Sequence, residues 1–235
     1  MIGEQCWMKE NLRTKHFADG TDISLMTLVT SGWNNSHVLD NIHSQMSNNF
    51  LYYTGNGAYY YSAHTALRTS SYASLTGNVQ GVCPDGWHIP SLQEWQQLED
   101  YVGSQSEYCC SSNPLYIGKA LASKSGWNAY DGTSSEYECL PAYSQSTNDA
   151  TGFSAEPFGR IGYSIYLCRA SGYESPQLGG FAQFWSSSYA GETTSYGQDC
   201  NLPRISCFSI DGSGAGSGIT GLTTYACLNV RCLKD

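Results

Sequence analysis

An α+β fold with two main helices, short antiparallel strands and extensive loops is what this sequence predicts, on three observations. One strongly capped helix stands near the middle of the chain, and a second helical pattern follows it. The rest breaks into short apolar pieces separated by Gly, Ser, Asn and Asp. The composition agrees: charged residues make up only 13% of 235 positions, beside 25 glycines and 18 tyrosines, which favours turns over long surface helices. Without internal repeats or low-complexity linkers, residues 1–235 read as a single domain long enough for a sizeable core.

The capped helix comes from CPDGWHIPSLQEW, residues 83 to 95. Ser91 has the chemistry of an N-cap, and Glu94, three residues on, that of its capping-box partner. Leu92, Trp95 and Leu98 repeat at helical spacing, so the spacing predicts a helix over residues 91 to 103. Before the cap, PDGWHI is turn chemistry feeding a short extended piece. The second helical pattern is NPLYIGKALASKSGW, 113–127, with Leu115, Ala120 and Leu121 apolar and Gly126 near its stop.

Elsewhere the signals are shorter. WMKENLRTKHFADGTDI closes on a D-G turn and reads as a strand or hairpin. Residues 31 to 50 are rich in Asn, Ser and His and read as a long loop. LYYTGNGAYYYSAHTAL places aromatics around a G-N-G turn, as a strand pair or a helix entry. Strand-like pieces then follow as GFSAEP, GRIGYSIYLC, GGFAQFWSSS, RISCFSI and ACLNVRCL, the last closing the chain over residues 227–235.

Charge narrows the function. The net charge of −9 argues against nucleic-acid binding, which needs a basic footprint, and against attraction to anionic lipid. No run of about 18 apolar residues exists to insert in a membrane. The ten cysteines include no C-x-x-C pair, so disulfides in an oxidising compartment are expected ahead of a zinc ribbon or a redox motif. The opening MIGEQCW carries no basic or apolar leader, which fits either a mature fragment behind an added Met or export by another route.

These words in this order resemble the Fibrobacter succinogenes major paralogous domain family, abundant in surface and exported proteins of Bacteroidota. The resemblance rests on GEQCWMKENLRT, FADGTDI, VQGVCPDGWHIPSLQEWQQLEDYVG, GKALASKSGW, ATGFSAEPFG, FWSSS and NVRCLKD, and it spans almost the whole chain. GWHIPSLQEW and FWSSS are similar as well to the C-type-lectin-like fold of the formylglycine-generating-enzyme type. The resemblance implies that Trp87, Trp95 and Trp185 are rigid anchors, each burying on the order of 200 Å². It makes His88 a hydrogen-bonded core residue rather than a catalytic base. It also ranks Cys83–Cys232 first among disulfides, since both belong to matched segments. That link ties the turn before the helix to the end of the chain.

Enzyme signatures are weak. The related sulfatase-activating enzymes work through a reactive cysteine pair and a copper-binding thiolate site, and no residue-by-residue match to that pair exists here. Adjacent Cys109 and Cys110 are expected to pair with different partners, because a vicinal disulfide is strained. His16, His37, His43, His64 and His88 lie away from any G-x-S-x-G elbow. GSGAGSG at 212–218 lacks the lysine and the strand–helix context of a phosphate loop and reads as a flexible loop. The chain therefore reads as non-enzymatic, with no cofactor and no resident metal. Calcium is kept as a candidate ion only through STNDATG, where Asn148 and Asp149 are also ordinary turn residues.

Residues 189 to 226 have a peculiar vocabulary, with one Glu, one Gln and no Lys, Met or Trp. Adenine-directed mutation of Asn-type codons would leave such a set. The segment therefore resembles the variable region that diversity-generating retroelements alter in C-type-lectin-like proteins. The plainer alternative is an exposed loop region rich in Ser, Gly and Thr. Either way, Tyr and Phe give rigid contact area while Ser, Gly and Asn adapt their hydrogen bonding.

Candidate ligand-binding residues are Tyr189, Thr193, Ser195, Tyr196, Asp199, Asn201, Arg204, Ser206, Phe208 and Tyr225, with Tyr196 and Phe208 as aromatic anchors. The alternation of Ile205, Cys207 and Ser209 against Ser206, Phe208 and Ile210 leaves open which side faces out.

The expectation is an extracytoplasmic ligand-binding or adhesion domain, with 1–188 mainly scaffold and 189–226 the recognition segment. Its partner would be a protein or glycan on another cell or host surface. It would be carried on a cell surface, a pilus or a phage particle. A calcium-dependent glycan-binding lectin and a pilus or surface assembly subunit are the rival classes, with an enzyme of the formylglycine-generating type ranked last.

Overall fold

A computed structural model describes residues 1–26, 49–53, 57–130, 132, 137–166, 169–174, 176–194, 201–224 and 226–235. The expected loop falls outside these up to residue 48, together with His37 and His43. The architecture is mixed helix and sheet, with few helices and no closed barrel among the described residues.

Strands β1 (Ser24–Met26), β2 (Asn49–Tyr53), β3 (Ala58–Ser62) and β10 (Cys227–Leu228) form one sheet in the order β1-β2-β3-β10. β1 runs parallel to β2, and the other pairings are antiparallel. β2 and β3 thus form the aromatic strand pair, the G-N-G lying outside the described residues up to Asn56, and helix α1 (Ala63–Leu67) follows directly, N-capped by the Ser62 hydroxyl. β4 (Trp87–His88) pairs with β11 (Leu233–Lys234), and β5 (Gly162–Tyr166) with β6 (Arg169–Glu174). The third sheet has the order β7-β8-β9, built from β7 (Phe181–Thr194), β8 (Asn201–Asp211) and β9 (Ser217–Thr223).

Helix α2 (Leu92–Ser104) has the expected capping box. Ser91 Oγ accepts from the Glu94 N–H, and the Glu94 carboxylate accepts from the Ser91 N–H at 2.7 Å. Trp95, Leu98 and Val102 form its buried face, while Leu92 in the first turn is exposed. FWSSS explains its own place in the sequence. The Leu92 N–H donates to Ser188 Oγ at 2.8 Å and the Ser187 N–H to the Pro90 carbonyl at 2.9 Å, so β7 satisfies one donor and one acceptor at the helix start.

The third sheet is buried on both faces at its centre. Ala182, Phe184, Phe208 and Ile210 point into one core with Trp95, while Trp185, Ile205 and Cys207 point into a second core with Tyr61 and Val230. Trp95 stacks on Phe208 with ring centres 4.4 Å apart, and Trp185 donates to the Tyr61 carbonyl. Trp95 and Trp185 are the expected anchors; Trp87 is half-buried at the margin of the second core.

The chain ends lie side by side through a bridge of Trp7 to Leu233. Between them Arg231 is fully buried. Its guanidinium donates to the carbonyls of Met8, Lys9, Phe153 and Ser154 and to Asn11 Oδ1, and it lies 4.6 Å over the Phe153 ring.

Cys83–Cys232 is bonded as expected, and Cys110–Cys139 forms a second disulfide. Cys109 is a free thiol, against the expectation that it pairs. So are Cys6, Cys207 and Cys227, while Cys168 and Cys200 lie outside the described residues.

Two local expectations are corrected. The helix expected over 113–127 is only the four-residue α3 (Gly118–Leu121). Beyond it the backbone leaves to pair with a distant segment: Ala122 bridges Ala155, and Ser123 N–H donates to the Ala155 carbonyl. Leu115, expected on an apolar helix face, is 74% exposed. GFSAEP contributes only the single bridge at Ala155, and Phe153 within it goes to the core. GSGAGSG forms the β8–β9 turn and runs into β9. Its Ala215 carbonyl accepts from the Gly118 N–H at 2.9 Å. A Cβ on Gly118 would stand 2.8 Å from that carbonyl, so only glycine permits this approach.

Candidate recognition site

The segment 189–226 supplies the outer end of β7, all of β8 and all of β9, so its described part forms one continuous antiparallel surface. Register shifts between Trp185 and Tyr189 and between Tyr189 and Glu192 bend β7, with Gly191 at φ 83° in the second shift. Such bulges re-aim the outer end of a strand.

The sequence-derived residues divide on this surface. Tyr189 is half-buried opposite Ile205 and packs against the second core. Thr193 is half-buried opposite Leu202. Arg204 is half-buried, with Nη2 donating to the Gly221 carbonyl at 2.7 Å, so its guanidinium is held across the β8–β9 pair. These three occupy the outer half of the sheet. Asn201 begins β8, and its side chain lies outside the described residues, as do Ser195, Tyr196, Asp199 and Tyr225.

Ser206 and Phe208 are corrections. Ser206 is 5% exposed and Phe208 is 0% exposed, so neither presents a contact. The unreadable alternation on β8 has its cause here: both faces of the strand are covered, so period two separates one core from another rather than inside from outside.

Beside β9 lies a groove of 810 Å³, lined by α2, the 114–117 loop and the first residues of β9. Glu99 and Asp100 stand on α2, Leu115 and Tyr116 on the loop, and Ser217 and Ile219 on the strand. Gly103 brings α2 close to the loop; a Cβ there would meet the Pro114 carbonyl at 2.6 Å. Ser217 Oγ donates to Glu99 Oε1 at 2.5 Å. Burial pushes the Glu99 carboxyl above its usual range, the Ser217 hydroxyl pulls it down, and Asp100 pushes it up again. Sequence reading missed this groove because its wall was assigned to a helix. The adjacent acids of QLEDY on the open side of an amphipathic helix were the available signal.

The calcium candidates are engaged in turn structure. Asn148 Nδ2 donates to the carbonyls of Ser123 and Pro141, and the Asp149 carboxylate accepts from the Ser154 N–H and hydroxyl. Among the described residues no group of three or more His, Cys, Asp or Glu side chains converges as a metal site, while Asn148 Oδ1 is buried without a hydrogen-bond partner.

The model of the Fibrobacter succinogenes major domain matches residues 1–234. The chain belongs to that family. No curated protein and no solved structure matches it. In this Fibrobacter succinogenes major domain the family words are scaffold contacts. MKEN and NVRC meet through Arg231 and Asn11, GFSAEPFG supplies the Phe153 and Ser154 carbonyls, and FWSSS locks onto the start of α2. His88 belongs to the same scaffold. It is 3% exposed, with Nδ1 2.7 Å from Asp235 Oδ1 and Nε2 2.9 Å from Glu94 Oε1. As expected, it is a hydrogen-bonded core residue.

Proposed function

We propose that this domain is an extracytoplasmic binding module whose specificity resides on the surface built from residues 189–226, with a protein or glycan on another cell as its ligand. One observation carries the reading: the described part of the segment with the restricted vocabulary lies in one contiguous sheet whose β9 and outer β7 positions are mostly half-exposed, outside the family words that hold the scaffold. A scaffold stapled by two disulfides suits an oxidising compartment and tolerates exchange of exposed side chains. Among the described residues no helix is long and apolar enough to cross a membrane.

The binder reading is favoured over an enzyme by His88, whose two ring nitrogens both face carboxylate oxygens and so leave neither to act as a base. The finer reading is a C-type-lectin-like scaffold carrying a segment diversified by adenine-directed mutation. Sequencing the locus across related strains tests it. Substitutions should concentrate in 189–226 at exposed positions and spare Phe208 and Ser206. Changes spread evenly along the gene would remove the diversified-face reading.

A further inference from the structure

β9 is the outer strand of its sheet. The far side of β7 is covered through bridges of Ala182 to Gly159 and Phe184 to Asn229. On the outer side of β9 the Thr223 carbonyl accepts from the Ala226 N–H and the Gly221 carbonyl from Arg204, whereas no described group hydrogen-bonds the backbone of Ser217 or Ile219 there. Proteins usually blunt such an edge with a charge, a proline or a bulge. The β9 sequence SGITGLT has no charge and no proline, and its register against β8 is unbroken from Thr223 to Ser217. Among the described residues its Ser217–Ile219 end, beside the groove, is the open part of the edge.

The groove lies along this edge. A strand added to β9 would lie about 4.8 Å away and turn every second side chain toward α2. Those side chains would meet the apolar surface of Leu115 and Ile219 and the carboxylates of Glu99 and Asp100. Neither acid forms an ion pair among the described residues, and no Lys, Arg or His lines the groove. An incoming cation would find two carboxylates without an opposing charge.

We propose that β9 takes up an extended segment of a partner protein by strand addition, and that a lysine or arginine of that segment enters the groove to meet Glu99 and Asp100. This rests on the recognition reading and deepens it, since β9 lies within 189–226. Backbone hydrogen bonds supply affinity and the groove supplies selectivity. Docking on the backbone would survive changes of exposed side chains nearby. A second copy of the chain is the poorer occupant, because each carries a net charge of −9 and would bring its own acids to the contact.

The test uses a blocked heptapeptide of alternating threonine and valine with a central lysine, titrated into the isotope-labelled protein. Amide shifts should concentrate on residues 217–221 and Glu99. Replacing the central lysine by glutamate should weaken binding at least tenfold, and N-methylating alternate peptide amides should abolish it. The pair Glu99→Gln and Asp100→Asn, checked for an unchanged fold, should remove the lysine preference while the N-methyl effect persists. Absence of binding at millimolar peptide, shifts elsewhere, equal binding of the N-methylated peptide, or concentration-dependent dimerisation through β9 would each overturn the proposal. Strain-to-strain variation confined to 189–226 would still support the recognition reading in any of those cases, so the two fail separately.

Discussion

Arg231 and Asn11 meet across 220 positions of chain, with the guanidinium Nε 3.2 Å from the amide Oδ1. Asn11 also donates to Asn229 Oδ1, and Asn229 donates on to the Gly159 carbonyl. Burial pulls the guanidinium down to about 10, while Glu156, Asp149 and Glu10 act in the opposite direction. It remains charged at neutral pH, surrounded by carbonyls rather than by a carboxylate. One cation therefore fastens the two chain ends and the 153–154 segment.

Replacing Arg231 with methionine keeps much of the volume but strands the carbonyls of Met8, Lys9 and Phe153 and the Asn11 amide oxygen. The expected loss is about 3 kcal/mol or more, since several neutral acceptors are left buried without donors at about 1–3 kcal/mol each. Arg231→Lys should recover little, since a point ammonium cannot fill the fork of donors. Urea unfolding followed by tryptophan fluorescence measures both. A loss under about 1 kcal/mol for Arg231→Met would show that the network is dispensable.

The Cys83–Cys232 bond closes a loop of 149 residues between the turn before β4 and β11. In the chain-entropy model such a loop contributes on the order of 4–5 kcal/mol. The double change Cys83→Ser and Cys232→Ser should therefore destabilise by about 1.5 kcal/mol more than Cys110→Ser with Cys139→Ser, whose loop spans 29 residues. Non-reducing peptide mapping should recover both crosslinks. Free thiols at both Cys83 and Cys232 would contradict the pairing.

What the sequence made legible was local, or shared by the family. The capping box of Ser91 and Glu94 and the apolar period of Trp95 and Leu98 act within one helix, so they could be read directly. The Cys83–Cys232 pair and the core role of His88 came through the family words. The fate of 113–127 was not legible, because pairing of Ala122 with Ala155 overrides the helical pattern after four residues. Phe208 was misread for a related reason. Its place against Trp95 depends on a helix more than a hundred positions away.

Glu99 should leave a signature in the pH dependence of stability. Burial raises its carboxyl in the folded state, so the folded protein holds that proton more tightly than the unfolded chain. The associated stability is present below the ordinary value of 4.5 and is lost as pH rises through the raised value. Glu99→Gln removes that loss. The urea midpoint of the variant should gain on the parent as pH rises above the ordinary value of 4.5. The half-buried position and the Ser217 hydrogen bond keep the gain modest. A difference that is flat with pH, or that favours the parent at neutrality, would show that Glu99 is not desolvated.

The last prediction separates scaffold from surface within the same strands. Phe208 stacks on Trp95 and is fully buried, so Phe208→Ala should cost about 3–5 kcal/mol of stability through cavity formation. Thr193 sits half-buried on the outer end of β7, and Thr193→Ala should change stability by about 0.5 kcal/mol or less. Arg204→Ala should fall between them, because it removes the guanidinium bond to Gly221 and the alkyl cover across β8 and β9. Once a ligand is in hand, the order should reverse. Thr193 and Arg204 substitutions would alter affinity in protein that remains folded, with a central contact costing about 2 kcal/mol. Phe208 would act only through unfolding. Thermal denaturation and binding measured on the same three variants decide it. A stable Phe208→Ala protein with selectively lost binding would return that ring to the recognition surface.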